Sequence, residues 1–161
     1  MDREYRGVYR LRNFPSPERP DLILWFLWSR DRNDVPQGVY SHQTALSLYD
    51  LSDINPAKLQ MTVPQRFRRN SAIPRVLVLH KADLAPGDSQ DIFGVRATTP
   101  LRTISDLTSE GKTDRAILKQ AISEGLARGL VTRRQIERAE LATEVRAEID
   151  SLVEEAAGAR R

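Results

Sequence analysis

The sequence predicts an α+β fold: a small mixed sheet with flanking helices, followed by a helical C-terminal part. Three observations predict it. Up to Thr98, short runs rich in β-branched and aromatic residues alternate with Pro- and Gly-bearing breaks. From Thr99 onward, apolar residues recur at steps of three and four behind good capping residues. At 161 residues, with no internal repeat, the chain suits one domain, or one domain with a helical appendage.

Tyr5 to Leu11 alternates and reads as a strand, broken by Phe14-Pro15-Ser16-Pro17. Residues 18–30 are Leu/Trp-rich rather than β-branched, which favours a short buried helix over an inner strand. Asp31 to Gly38 is a polar loop. Gly38-Val39-Tyr40 is a short strand feeding a helix over 42–50, with Ser41 at its N-cap and Ala45, Leu48 and Tyr49 on one face. Leu59 to Val63 is a strand ended by Pro64, and Arg66 to Asn70 a basic turn. Arg75 to His80 is β-rich and reads as a central strand; Asp91 to Thr98 reads as one strand around Gly94. Thr99 caps a helix over 100–109, with Pro100 where its missing N–H is harmless and Gly111 as the stop. A helix over 113–127 buries Ile117, Leu118, Ala121, Ile122 and Leu126, and ends at Gly129. Thr132 and Gln135 fit a capping box opening a last helix over 133–156, whose seam is Ala142, Val145, Ile149, Leu152 and Ala156.

Composition narrows the chemistry. The chain has no Cys, which excludes disulfide scaffolds and Cys-ligated zinc and fits a reducing compartment. The run Leu22 to Trp28 is far below the ~20 residues of a membrane span, and no basic-then-apolar leader is visible, so a cytoplasmic protein is the expectation. Net charge is +3, and twenty-one of the twenty-five basic residues are Arg. A GC-rich genome or a use in bidentate phosphate or carboxylate contacts explains that bias, and both stay open. Residues 101–138 are net basic and residues 139–161 net acidic. The last helix therefore packs back on the sheet, offers a surface for self-association or a partner, or is simply solvated.

No catalytic, cofactor-binding or metal-ligating set stands out. Ser41 and His42, adjacent at a helix start, are expected not to face each other as a triad requires, and no nucleophile-elbow motif accompanies them. His80 with Asp83 is too small a set for zinc. With only His42 left to add, a His₃ site cannot be built and a His₂-carboxylate site stays formally possible, while a hydrogen bond between His80 and Asp83 is the expectation. Asp91 lacks the acidic or lysine companion of a metal nuclease, and Asp50 and Asp53 sit in a helix-ending turn where Asp is common. The strongest candidate surface is Arg66, Phe67, Arg68 and Arg69, with Arg75 near in sequence: arginines to grip phosphate or an acidic protein face, and Phe67 to stack. The partner could also be the chain's own acidic last helix. Arg133 and Arg134, with Arg138, form a second, weaker stripe.

Five segments stand out in order: Gly38 to Leu46 with Leu51-Ser52-Asp53, Thr62-Val63-Pro64, Val78 to Leu84, and Thr98 to Thr103, preceded by Arg6-Gly7-Val8-Tyr9. As a set, spanning about residues 5–138, they resemble the C-terminal domain of AbiEi-type antitoxins, the regulatory half of abortive-infection (type IV) toxin–antitoxin pairs in phage defence. The resemblance implies the α+β fold and a division into an antitoxin domain over 1–138 and an acidic helix over 139–161. Residues 1–12 would be the remnant of the strand that joins a DNA-binding winged helix to this domain. It implies a non-enzymatic antitoxin or transcriptional regulator that neutralises a nucleotidyltransferase-like toxin without requiring a stable complex. Operon repression would follow only where a winged helix lies upstream. The rival expectation is a nucleic-acid-binding module, for DNA or RNA, that uses the arginine patches.

Overall fold

The computed structural model describes residues 2–6, 8–10 and 19–159. The Phe14 to Pro17 break, and Gly7 and Leu11 of the first expected strand, lie outside them. That strand is instead a hairpin: β1 (Asp2–Tyr5) pairs antiparallel with β2 (Val8–Arg10). Helix α1 (Pro20–Trp28) follows, with Pro20 in its first turn, where the ring suits the backbone and no intrahelical N–H is lost.

A five-stranded mixed sheet forms the centre. Its strands are β3 (Val39–Tyr40), β4 (Leu59–Val63), β5 (Leu77–Lys81), β6 (Ser89–Ile92) and β7 (Val95–Thr98), in the order β5-β4-β3-β7-β6. β3 runs antiparallel to β4 and parallel to β7, and β4 and β5 are parallel neighbours. Two expectations are corrected. β5 lies at the sheet edge, with Val78 exposed, although its composition reads as central; the middle place belongs to the two-residue β3. The expected strand over 91–98 is a hairpin, because Phe93 and Gly94 both take positive φ (51° and 80°), as a tight turn of the primed type requires.

Strand alternation gives the sheet two unlike faces. Tyr40, Met61 and Ala97 are cross-strand partners on one face and are fully buried. The Tyr40 hydroxyl donates to the Leu22 carbonyl at 2.6 Å, which docks α1 there. Gln60, Thr62, His80 and Thr98 lie on the other face, met by helices α2 (His42–Leu48) and α3 (Pro100–Glu110). Thr98 and Thr103 share a hydrogen bond of 2.7 Å, and the Tyr49 hydroxyl donates to the Thr98 carbonyl.

Helix α3 begins at Thr99, whose hydroxyl accepts from the Arg102 amide, and stops at Gly111 with φ +71°. Helix α4 (Arg115–Ala127) is capped by Asp114. The expected last helix is two: α5 (Arg133–Arg138), opened by the reciprocal Thr132/Gln135 capping box, and α6 (Thr143–Gly158). Arg146 of α6 donates to the Ile136 and Ala139 carbonyls, satisfying groups that the break leaves without helical donors. Ala142, expected on the seam, is exposed at the junction. Helix α6 packs on α4 and α3 rather than on the sheet, burying Val145, Ile149, Leu152 and Ala156. Its acidic face meets the chain's own cations: Arg115 pairs with Glu148 and Glu155, and Lys119 with Glu155. Side chains from sheet and helices join one apolar core, each fully buried Leu, Ile or Met contributing roughly 1.5–3 kcal/mol. Among the described residues, no helix is long and apolar enough to cross a membrane.

Candidate functional site

The connection between β4 and β5 is unusual for parallel neighbours. Such a crossover normally carries a helix; here residues 64–76 form a loop without one. Loops this long in a compact domain are mostly functional or disordered, and this one is anchored. The Phe67 amide donates to the Pro64 carbonyl, closing the first turn. The Gln65 amide donates to Asp83, and the Gln65 side chain to the Lys81 carbonyl.

Phe67 is not a free stacking face. It is buried against Trp28, with ring centroids 6.2 Å apart. With Phe67 held inside, the arginines on either side are held out. Arg69 lies over the Trp28 ring at 5.0 Å and donates to the Arg30 carbonyl, so its guanidinium is fixed by a cation–π contact and a hydrogen bond. Arg68 donates to the carbonyls of Gln65 and Phe67. Arg66 and Arg75 are exposed and have no hydrogen-bond or ion-pair partner among the described residues. Arg30 and Lys81 lie beside Phe67 and Arg69, while Arg75 sits at the other end of β5: Lys81 donates to the Phe67 carbonyl, burial followed by the Arg30 charge holds Arg69 below its ordinary pKa, and Arg30 itself has Asp34 at 4.0 Å. Crowded like charge of this kind favours an anionic partner. Arg133 and Arg134 are exposed at the start of α5, likewise without partners among the described residues.

A second constellation lies on the polar face of the sheet. His42 of α2, His80 of β5 and Glu110 of α3 bring one ligand atom each within 4.8 Å of one another. The two imidazoles stack 3.7 Å apart at 14°. His42 opens α2 with φ +53°, a left-handed conformation that costs of order 1–3 kcal/mol outside glycine. That backbone places Nδ1 2.8 Å from Ser41 Oγ. Ser41 and His42 therefore do touch, contrary to expectation. Ser41 is fully buried and accepts from the Thr62 hydroxyl, which leaves no exposed nucleophile. It occupies the N-cap position, yet its side chain accepts nothing from the helix amides. His80 Nε2 meets Gln60 Oε1 at 3.1 Å instead of Asp83, which accepts from Gln65. Burial, then His80, then Arg102 push the His42 pKa down to about 4. Burial also lowers that of His80, with Lys112 assisting and Glu110 opposing. The His42 ring is neutral near pH 7.

The remaining acidic candidates are accounted for. Asp91 pairs with Arg96 across the β6–β7 hairpin at 3.2 Å. Asp53 accepts from Gln120, and the carbonyls of Tyr49 and Asp50 accept from Arg128, which fastens the end of α2 to α4. A cleft of about 790 Å³ between α3 and the α5–α6 junction contains Arg102, but Asp88 and Asp106 neutralise it. The other charged residue of its lining, Glu140, is acidic and exposed, so the cleft carries no free cation among the described residues.

The chain matches no protein-family model and no curated protein.

Sequence reasoning located the arginine loop but missed Arg30 and Lys81. Neither has a local signal, since one follows α1 and the other ends β5, and only the sheet brings them beside the loop. It also weighed the wrong carboxylate beside the histidines. Glu110 is thirty residues along the chain from His80, and its position is set by where α3 stops at Gly111.

Proposed function

We propose that this chain is a non-enzymatic antitoxin and regulator domain of AbiEi type that acts by binding. It neutralises a nucleotidyltransferase-like toxin and, where its gene encodes a winged helix upstream, takes part in repressing its own operon. The observation that carries this reading is the ordered set of signatures from Gly38 to Thr103. The segments of that set are neighbours in space: β3, the start of α2, the end of β4, β5 and the β7–α3 junction. The binding face is the β4–β5 loop, where Arg66, Arg68 and Arg69 flank a buried Phe67 and Arg75 lies further along, just before β5. Co-expression with the cognate toxin tests it. Growth is restored by the full-length gene, and restoration is lost in Arg66→Glu/Arg68→Glu with the fold intact by circular dichroism. Absence of rescue by the wild-type gene removes the antitoxin role.

The second reading is a nucleic-acid-binding module. Arg66, Arg75, Arg133 and Arg134, exposed and without partners among the described residues, favour it. Affinity for a DNA or RNA oligonucleotide would fall steeply with salt, and replacing a phosphate-contacting arginine would flatten that slope by about one unit.

A further inference from the structure

We propose that His42, His80 and Glu110 bind one divalent metal ion of the zinc type, an ion staple between α2, the edge strand β5 and the end of α3. The inference stands apart from the antitoxin reading and rests on the geometry of the three side chains.

The ligand atoms come from three separate elements and already lie within 4.8 Å of one another. Ligands around tetrahedral zinc sit at roughly 2.0–2.2 Å from the ion, so closure takes side-chain rotation rather than backbone movement. Each ring has a polar partner on one nitrogen. Ser41 Oγ occupies Nδ1 of His42, which leaves Nε2 free; Gln60 Oε1 accepts from Nε2 of His80, which leaves Nδ1 as a bare lone pair. A partner on the far nitrogen is how metal-binding histidines are held in orientation. Thr62, bonded to Ser41, extends that supporting layer into β4.

Glu110 is the second observation. Its side chain is only 25% exposed, yet it accepts no hydrogen bond among the described residues; its one charge partner is Lys112, at 4.0 Å and itself 80% exposed. One of its oxygens stands within 4.8 Å of a nitrogen on each imidazole, and a cation between them would join all three side chains. The left-handed backbone of His42 is the local distortion that aims its ring at this point. Two imidazoles and a carboxylate suit zinc, with water in the remaining position, and the site holds no thiolate that would favour softer ions.

The present stack has one consequence for loading. Two parallel rings 3.7 Å apart share no common plane, so one ion cannot lie in line with both lone pairs. Loading turns one ring out of the stack, and the less buried His80 has the room.

The test uses the whole chain, stripped of metal at neutral pH and titrated with Zn²⁺, and separately with Co²⁺ read by visible absorption. The expected result is one equivalent bound with a raised thermal midpoint, tetrahedral-type Co²⁺ absorption and a shift of both histidine ring signals in NMR. Glu110→Gln keeps the shape of the side chain, and His80→Gln alters a partly buried position; each should weaken binding by more than about tenfold, and Gln60→Ala by on the order of tenfold. Far-UV circular dichroism of each metal-free variant reports its folding. No uptake of either ion by the wild-type chain overturns the proposal. So does uptake left unchanged in Glu110→Gln, which would place the ion on surface carboxylates.

Discussion

At the scale of single residues, two positions are set by what surrounds them rather than by their own preference. Gly38 is the first. A Cβ there would lie 2.1 Å from Met61 Sδ and 2.9 Å from Ser29 Oγ, and Met61 is fully buried. Gly38→Ala should therefore destabilise by about 1–3 kcal/mol, the usual effect of overpacking, read as a lower urea midpoint with an unchanged slope. His42 is the second. Its folded pKa, about 4, lies below its unfolded value near 6.5, so the unfolded chain binds more protons between those limits. His80 of β5, Arg102 and Glu110 of α3, and Lys112 beyond it are the charged and titratable groups around it. In metal-free protein the neutral ring's contribution is intact above pH 6.5. It is lost as pH falls towards 4, by about 3 kcal/mol for the full shift. Urea unfolding at several pH values checks this against His42→Asn. Asn tolerates the left-handed backbone and removes the titration, so the variant should lose that part of the slope. An identical pH dependence in the two proteins would show that His42 does not carry it.

At the scale of elements, local chemistry was legible in the sequence and long-range placement was not. The Thr99-Pro100 start and Gly111 stop of α3, and the Thr132/Gln135 box of α5, are complete within a few residues, so the sequence alone announces them. The helical break after Arg138 is different. Ala-Glu-Leu-Ala at 139–142 has good helix propensity, and the chain leaves the helix because Ile136 and Val145 bury in one core while Arg146 serves the freed carbonyls. Strand order had no local signal either, since β5 owes its edge place to the crossover loop rather than to its composition. The turn of the β6–β7 hairpin joins both cases. Gly94 announces a bend, but Phe93 conceals its type, being 52% exposed in a left-handed conformation that favours Asn or Gly. Phe93→Asn should stabilise the chain by about 0.5–1 kcal/mol, because it relieves backbone strain without losing a buried contact. A higher thermal midpoint is the expected reading. A lower one would mean that the Phe93 ring packs more usefully than its exposure suggests.

At the scale of the whole molecule, the fold separates a neutralised side from a charged one. Glu148 and Glu155 of α6 are matched by Arg115 and Lys119 of α4, so among the described residues α6 supplies no counter-charge to the arginine loop, where Asp34 beside Arg30 is the nearest paired carboxylate. The loop's arginines are not equivalent. Arg69 is tied to Trp28 and the Arg30 carbonyl, whereas Arg66 touches no partner among the described residues. Stability and binding should therefore part company across the two positions. Arg69→Ala should lower stability by about 0.5–1 kcal/mol, the range of an exposed cation–π contact, as well as weaken capture of an anionic partner. Arg66→Ala should leave the urea midpoint within about 0.5 kcal/mol of wild type and still reduce binding, most strongly at low salt where its charge is least screened. Measuring the urea midpoint and the salt dependence of binding in the same two variants separates a docking surface from a solvated turn. If Arg66→Ala binds as wild type does at every salt concentration, the exposed rim of the loop carries no partner, and contact must be made elsewhere on the molecule.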